Sequence, residues 1–367
     1  MKLLVINSVL GFGSTGRICL DIAKRFEQNG YEVKVAYGRN FGKLSEDAER
    51  YGVRIGNDMD VYVHGIYARI TDRHGLASKG TTKAFLKWAQ EYDPDVLWLH
   101  NVHGYYINYE MLFDWIKSRP QMEVKWTFHD CWPFTGHCAY FTYVNCDRWI
   151  KGCNACPQLS AYPKSLLDNS RSNYLRKKRA FTGVQNLTII TPSTWLSDLV
   201  RKSYLAEYNV EVVYNTIDKN VFSPCESTFK EDHGFAHKKL LLGVANTWEK
   251  RKGLDDFIEL SRRLDKNQYQ IVLVGLSKKQ IKALREEKIN IIGLPRTASA
   301  KELAQLYSAS DVFINPTYED NYPTVNLEAE ACGTPVITYN TGGSAETIKC
   351  ADSRVIEPGV DNILKLL

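Results

Sequence analysis

A chain of 367 residues with 44% hydrophobic side chains is long enough for two domains that each bury a core. Its 47 basic and 42 acidic side chains leave a formal charge of +5, too mild to argue for nucleic acid as a partner. No apolar run approaches the roughly 18 residues of a spanning helix, and the N-terminus lacks a secretory-type core with a small-residue cleavage site, so the expected location is cytoplasmic. Short β-branched runs then alternate with amphipathic stretches, as in parallel α/β proteins. In the first half KLLVIN, EVKVAYG, DVLWLH, VKWTFH, NLTIIT and VEVVYN read as strands, and a helix is expected from Thr15 to Gln28 with Gly30 as its left-handed stop. The pattern restarts with KLLLGVAN, YQIVLVGL, INIIGL, DVFINP and TPVITYN. Between the halves YNTIDKNVFSP has no periodicity, which predicts a domain at 1–214, a linker at 215–224 and a second domain at 225–367. The expected architecture is α/β, with two Rossmann-like parallel-sheet domains facing a cleft and ligands bound beyond the carboxyl ends of the strands.

Motifs fall where that rule asks for them. In INPTYEDNYPTVNLEAEACGTPVITYN a strand ends near Asn315, and a polar loop carries Glu319, Asp320, Asn321 and Tyr322. Pro323 then opens a helix that Gly333 closes. The N–H groups of Thr324 and Val325 at the start of that helix make an anion site. One turn on, Glu328 is an acceptor-only carboxylate suited to both hydroxyls of a vicinal diol such as ribose, although Glu328 and Glu330 also read as ordinary surface acids. After VKWTFH come His129 and Asp130, and after DVLWLH come His100, Asn101 and His103, readable as site residues or as loop packing. RSNYLRKKR, Arg171–Arg179, is a solvated helix face or a contact for phosphates and anionic lipid. Near the N-terminus Gly11, Gly13 and Gly16 spell G-x-G-x-x-G. NAD would need an acid at the end of the second strand, which instead runs Ala36-Tyr37-Gly38-Arg39, so the loop is read as a backbone approach to another phosphate.

An acid, seven residues, then E-A-x-A-C-G-T-P-V-I resembles the signature of retaining glycosyltransferases of the GT-B fold, family four. That resemblance implies that Glu328 binds the nucleotide ribose and that Asp320 contacts the donor sugar, with Glu319 one position too early. It implies that Lys252, before Gly253, grips the donor diphosphate, and that Asn246, where an Arg is usual, is assisted by Arg251 or Lys250. It places His129 beside the donor sugar, and His100, Asn101, His103 and Asp130 on the acceptor side. YNTIDKNVF resembles the family's interdomain segment with Thr216 in place of Gly. The stretch from GFGSTGR through HDCWPFTGHC and GCNACPQ to TPSTWLSDL is similar to a bacterial subgroup, of the colanic acid type, that builds exopolysaccharide and lipopolysaccharide. Members usually continue past DNILKLL with a further helix, so the second domain is expected to be shortened.

The implied reaction moves a hexose from a UDP or GDP sugar to a hydroxyl of a glycan or polyprenyl-diphosphate-linked glycan at the inner membrane face, with no cofactor required. A GT-B sugar-nucleotide epimerase and a non-catalytic nucleotide-sugar-binding subunit are the alternatives. Five of nine cysteines crowd the loop 131–156. The intervals among Cys138, Cys146, Cys153 and Cys156 suggest a structural four-thiolate zinc site, with reduced packing cysteines or redox chemistry as the other readings.

Overall fold

A computed structural model describes residues 1–367, and the chain divides into two compact units, Met1–Val213 and Tyr214–Leu367. Each unit is built on one parallel sheet. The first contains β1 (Lys2–Asn7), β2 (Glu32–Tyr37), β3 (Gly52–Arg54), β4 (Val96–Leu99), β5 (Glu123–Thr127), β6 (Leu187–Thr191) and β7 (Asn209–Val212), in the order β3-β2-β1-β4-β5-β6-β7. The second contains β8 (Lys239–Val244), β9 (Tyr269–Val274), β10 (Ile291–Leu294), β11 (Val312–Asn315), β12 (Val336–Tyr339) and β13 (Arg354–Ile356), in the order β10-β9-β8-β11-β12-β13. Both orders reverse beside their first strand, between β1 and β4 and between β8 and β11. Loops leaving the carboxyl ends of those strands diverge, and each sheet therefore opens a crevice there.

Strand alternation makes both faces of each sheet apolar. Leu3 and Val5 belong to one buried cluster and Leu4 and Ile6 to the other. Leu241 likewise packs on one side of the second sheet, while Leu240 and Leu242 pack on the opposite side. Such two-sided burial is what helices covering a parallel sheet produce. No helix is long and apolar enough to cross a membrane.

The first helix runs Gly13–Gln28, two residues earlier than expected, because the glycine turn winds directly into it. It stops at Gly30, whose φ of +84° is left-handed and whose N–H bonds the Glu27 carbonyl at 2.9 Å. Residues 213–228, around the expected linker, contain neither helix nor strand. The edge strands β3 and β13 were not expected: three residues each, carrying Arg54 and Arg354, are too short to show a period.

Candidate functional site

In the second unit the loops after β8 and β11 meet. The 3-10 turn Lys250–Lys252 lies against residues 316–320, with the Tyr318 N–H bonding the Arg251 carbonyl at 2.8 Å and the Thr317 hydroxyl bonding the same carbonyl at 3.3 Å. Gly253 permits this approach. Its φ is +74°, and a Cβ there would sit 2.3 Å from the Pro316 carbonyl oxygen.

The junction brings Lys252 and Asp320 into direct ion pairing, both mostly buried. Burial alone pushes the Asp320 carboxyl up, but Lys252 and Arg251 outweigh it and hold the group below the usual carboxylate range. Burial also pushes the Lys252 ammonium down, against the opposing pull of Asp320. The Asn321 N–H bonds Asp320 Oδ1 at 2.8 Å, and the Gly343 N–H bonds the Asp320 carbonyl at 2.9 Å, so both side chain and backbone are oriented. Arg251, expected to grip phosphate, turns inward: it bonds the Glu249 carboxylate at 3.0 Å and the Glu319 carbonyl. Glu319 is fully buried, and Asn246 is exposed on the loop after β8.

The helix Thr324–Ala331 starts directly after Pro323. Its first N–H groups, Thr324 and Val325, have no carbonyl a turn earlier to bond, which gives the position its anion-binding character. A buried chain fixes this helix to the sheet: Asn315 Nδ2 donates to Asn326 Oδ1 and Asn326 Nδ2 to the Thr347 hydroxyl, each at 2.8 Å. Glu328 is oriented by two hydroxyls, Tyr307 at 3.1 Å on Oε2 and Thr324 at 3.3 Å on Oε1, while a carboxylate oxygen accepts more than one bond. Glu330 lies apart, taking the N–H groups of Lys349 and Cys350. Tyr322 is buried and stacks on Tyr214, with ring centres 5.2 Å apart.

In the first unit, the loops after β1, β4 and β5 carry the remaining candidates. Gly11 and Gly13 have φ of +72° and +63°, and the Gly11 N–H bonds the Gly16 carbonyl at 3.1 Å. That donor is therefore spent closing the turn. Asn7, at the end of β1, accepts from the Asn101 N–H at 3.3 Å and ties this loop to the one after β4.

His100 and His129 stack, with ring centres 5.2 Å apart and a hydrogen bond of 2.9 Å between His100 Nδ1 and His129 Nε2. His100 Nε2 is buried without a partner, and an unpartnered N–H costs more than an unpartnered lone pair, so the proton belongs on His100 Nδ1. His129 Nε2 is then the acceptor, and a neutral His129 carries its hydrogen on Nδ1, as a donor for a ligand. Burial pushes His129 down to about 4, with Asp130 pulling the other way.

Beside this pair runs a chain that the sequence did not reveal. Asp130 Oδ2 meets His103 Nε2 at 3.1 Å, and His103 Nδ1 meets the Tyr162 hydroxyl at 3.1 Å. Burial opposes ionisation of Asp130, but His103 and the Trp132 N–H hold its carboxyl low. With Nε2–H committed to that carboxylate, a neutral His103 accepts the Tyr162 proton on Nδ1. Tyr162 sits some sixty residues away in an irregular loop, and no motif marks it.

Two expectations need correction. No group of three or more His, Cys, Asp or Glu side chains is placed to hold a metal ion, so the zinc reading of Cys138, Cys146, Cys153 and Cys156 is not supported. These four thiols are free and line one small cavity with Phe141 and Trp149; Cys138 and Cys156 hydrogen-bond to each other, and the Gly136 N–H bonds Cys153 Sγ at 3.0 Å. The hydrogen bond from Cys138 draws the Cys156 thiol below its ordinary value against the effect of burial. The basic run Arg171–Arg179 is also not one solvated face. Lys177 is buried, bonding the Trp132 and Thr135 carbonyls at 2.7 and 3.1 Å above the Trp132 ring, while Arg176 and Arg179 pair with Glu110.

The chain is similar to known proteins along its whole length. Residues 15–221 match Glycosyltransferase Family 4, and residues 226–366 match Glycosyl transferases group 1. Over its full length the chain is 22% identical to a protein of Escherichia coli K12 assigned to colanic acid biosynthesis as the glycosyl transferase WcaC, covering 89% of it. Over 43% of the chain it is 25% identical to alpha-galactosylglucosyldiacylglycerol synthase of Streptococcus pneumoniae, covering 44% of that protein. The fold superposes on Anabaena HepE, solved with UDP and glucose, with a TM-score of 0.65 at 15% identity, over 100% of this chain and 88% of that one. The chain belongs to Glycosyltransferase Family 4, and its two parallel-sheet units are those of the GT-B fold.

Proposed function

We propose that this glycosyltransferase moves a hexose, with retention, from a nucleoside diphosphate sugar to a hydroxyl of a lipid-linked glycan during assembly of a bacterial surface polysaccharide. The observation that carries the donor half is the pairing of Lys252 with Asp320 beside the start of the helix Thr324–Ala331. A leaving diphosphate gains charge as the bond to the sugar C1 breaks, and a preformed cation with unbonded helix N–H groups stabilises that charge without reorganising. In this reading Lys252 shifts from Asp320 to the diphosphate when donor binds, Asp320 takes sugar hydroxyls, and Glu328 takes the ribose diol.

From the first unit His129 Nδ1–H donates to an oxygen of the donor sugar, and on the acceptor side the Asp130–His103–Tyr162 chain orients the Tyr162 phenol. The acceptor oxygen bonds C1 on the face the diphosphate leaves, and its proton passes to the leaving phosphate oxygen, so no protein base is needed. The HepE complex makes UDP the first donor nucleotide to try, and the colanic acid relative makes a polysaccharide precursor the first acceptor class. The test is a panel of UDP and GDP sugars, followed by release of nucleoside diphosphate with and without lipid-linked glycan. Release that needs acceptor and falls in Asp320→Asn supports the reading. Equal release by the variant refutes it.

A further inference from the structure

The helix Asp58–Thr71 is amphipathic the wrong way round for a soluble surface. Its inner side packs His64 and Ala68 into the first unit. Its outer side presents Met59, Tyr62, Val63, Ile66 and Ile70, between 43% and 67% exposed. These positions, i, i+3, i+4, i+7 and i+11, fall within an arc of about 100° at 100° per residue, opposite the buried pair. Scattered exposed apolar side chains are ordinary, but a contiguous stripe marks a contact surface. The stripe also continues off the helix. The Leu166 N–H bonds the Arg69 carbonyl at 2.8 Å, which lays Leu166 and Leu167, 71% and 54% exposed, beside its C-terminal end.

Cations outnumber acids around the stripe, where Asp168 beside Leu167 is exposed and takes the Cys156 and Ser170 N–H groups. Arg69, Arg73 and Lys164 are exposed at its C-terminal end. The acids of the helix are committed elsewhere, Asp58 to Arg54 and Asp60 to the Asn57 cap. An apolar face edged by cations complements an anionic bilayer, whose acyl boundary takes the large side chains while its phosphates meet the cations. The location also suits an acceptor with a lipid tail. His64 on the inner side of the same helix lies edge-on to Tyr105, which neighbours His74, and His74 touches Tyr162.

We infer that the outer face of Asp58–Thr71, extended by Leu166 and Leu167, docks this enzyme on an anionic phospholipid surface and so presents lipid-linked acceptor to the Tyr162–His103 loops. The docking is independent of the transfer reaction, whereas the presentation of acceptor rests on the function proposed above. The test is flotation of the full chain with vesicles of phosphatidylcholine alone and of phosphatidylcholine with about one-third phosphatidylglycerol. Wild-type protein is expected to float with the anionic vesicles at least about tenfold more strongly than with the neutral ones, and Ile66→Glu/Ile70→Glu to lose at least about tenfold of that binding. The control Leu175→Glu, an exposed apolar residue on the helix Ser170–Phe181, should float like wild type. Far-UV circular dichroism and donor binding must be unchanged in the variant, which separates failure of docking from failure of the transferase reading. Equal flotation of variant and wild type overturns the inference. So does a concentration-dependent dimer that the same double variant abolishes, because the face would then belong to a second copy.

Discussion

Lys252 and Asp320 come from loops after two different strands, β8 and β11, yet form one ion pair at the point where the second sheet reverses its order. Neither charge is comfortable alone: burial pushes the Lys252 ammonium down and the Asp320 carboxyl up, and each opposes the change in the other. Lys252→Ala should therefore lower kcat/KM for the donor by about 10²–10³, the scale of losing one preorganised charge at a developing anion. Asp320→Asn should cost about 3 kcal/mol of stability at neutral pH by leaving Lys252 mostly buried without its partner. The sign with pH follows from the lowered folded pKa of Asp320. Its contribution is present above the ordinary carboxylate value and is lost as pH falls through the folded one. Initial rates at pH 7, and urea unfolding of wild type and Asp320→Asn from about pH 5 down to about pH 2, check both statements.

The buried histidines should make the fold acid-sensitive above the ordinary carboxylate range. Burial draws both His64 and His129 down to about 4 from an ordinary 6.5, so between those values the unfolded chain binds protons that the folded chain does not. Stability then rises with pH through that window and falls on acidification from about 6.5 towards 4, by about 1–3 kcal/mol for each group. His64→Gln should flatten the slope relative to wild type. Chemical denaturation at pH 7, 6 and 5 reads it directly, and a stability independent of pH across that range would refute the assignment.

Tyr162→Phe removes the hydroxyl that bonds His103 Nδ1 and leaves a buried acceptor unmatched, a loss of about 1 kcal/mol. Because the chain serves the acceptor in the proposed reaction, acceptor KM should rise several-fold while donor KM stays constant. Steady-state kinetics varying each substrate in turn separates the two.

Much of this was legible in the sequence because parallel sheets write themselves as β-branched runs. KLLVIN and KLLLGVAN name the first strand of each sheet, and the motifs after them mark the carboxyl ends where ligands bind. The rest depended on contacts between distant segments. Nothing in NYPTVNLEAEA says that Tyr307 will orient Glu328, or that Arg251 will hold the Glu319 carbonyl instead of facing outward. Cysteine spacing suggested convergence on a metal, but spacing does not fix where thiols point, and no three of these side chains are placed to share an ion. The outward apolar stripe of Asp58–Thr71 was hidden for a related reason. An apolar period shows that a helix has a greasy side, not whether that side faces the core.

The glycine turn after β1 should tolerate change unequally. A Cβ on Gly16 would lie 3.1 Å from the Gly11 nitrogen and 3.2 Å from Val9 Cγ2, and the Gly11–Gly16 bond keeps the turn from yielding. Gly16→Ala should destabilise by about 1–2 kcal/mol despite alanine's better helix propensity. Gly13→Ala meets no atom within 4 Å and should cost about 1 kcal/mol, through its left-handed φ alone. Thermal melts of the two variants compare them.

In the proposed function the second unit holds a nucleoside diphosphate through Lys252 and the helix Thr324–Ala331. Calorimetric titration of UDP and GDP into wild type, Lys252→Ala and Glu328→Gln tests it most directly. Saturable binding of at least one nucleotide by wild type is expected, weakened about tenfold or more in each variant, which is about 1.4 kcal/mol. Binding of equal strength in all three proteins, or by none of them, would contradict it.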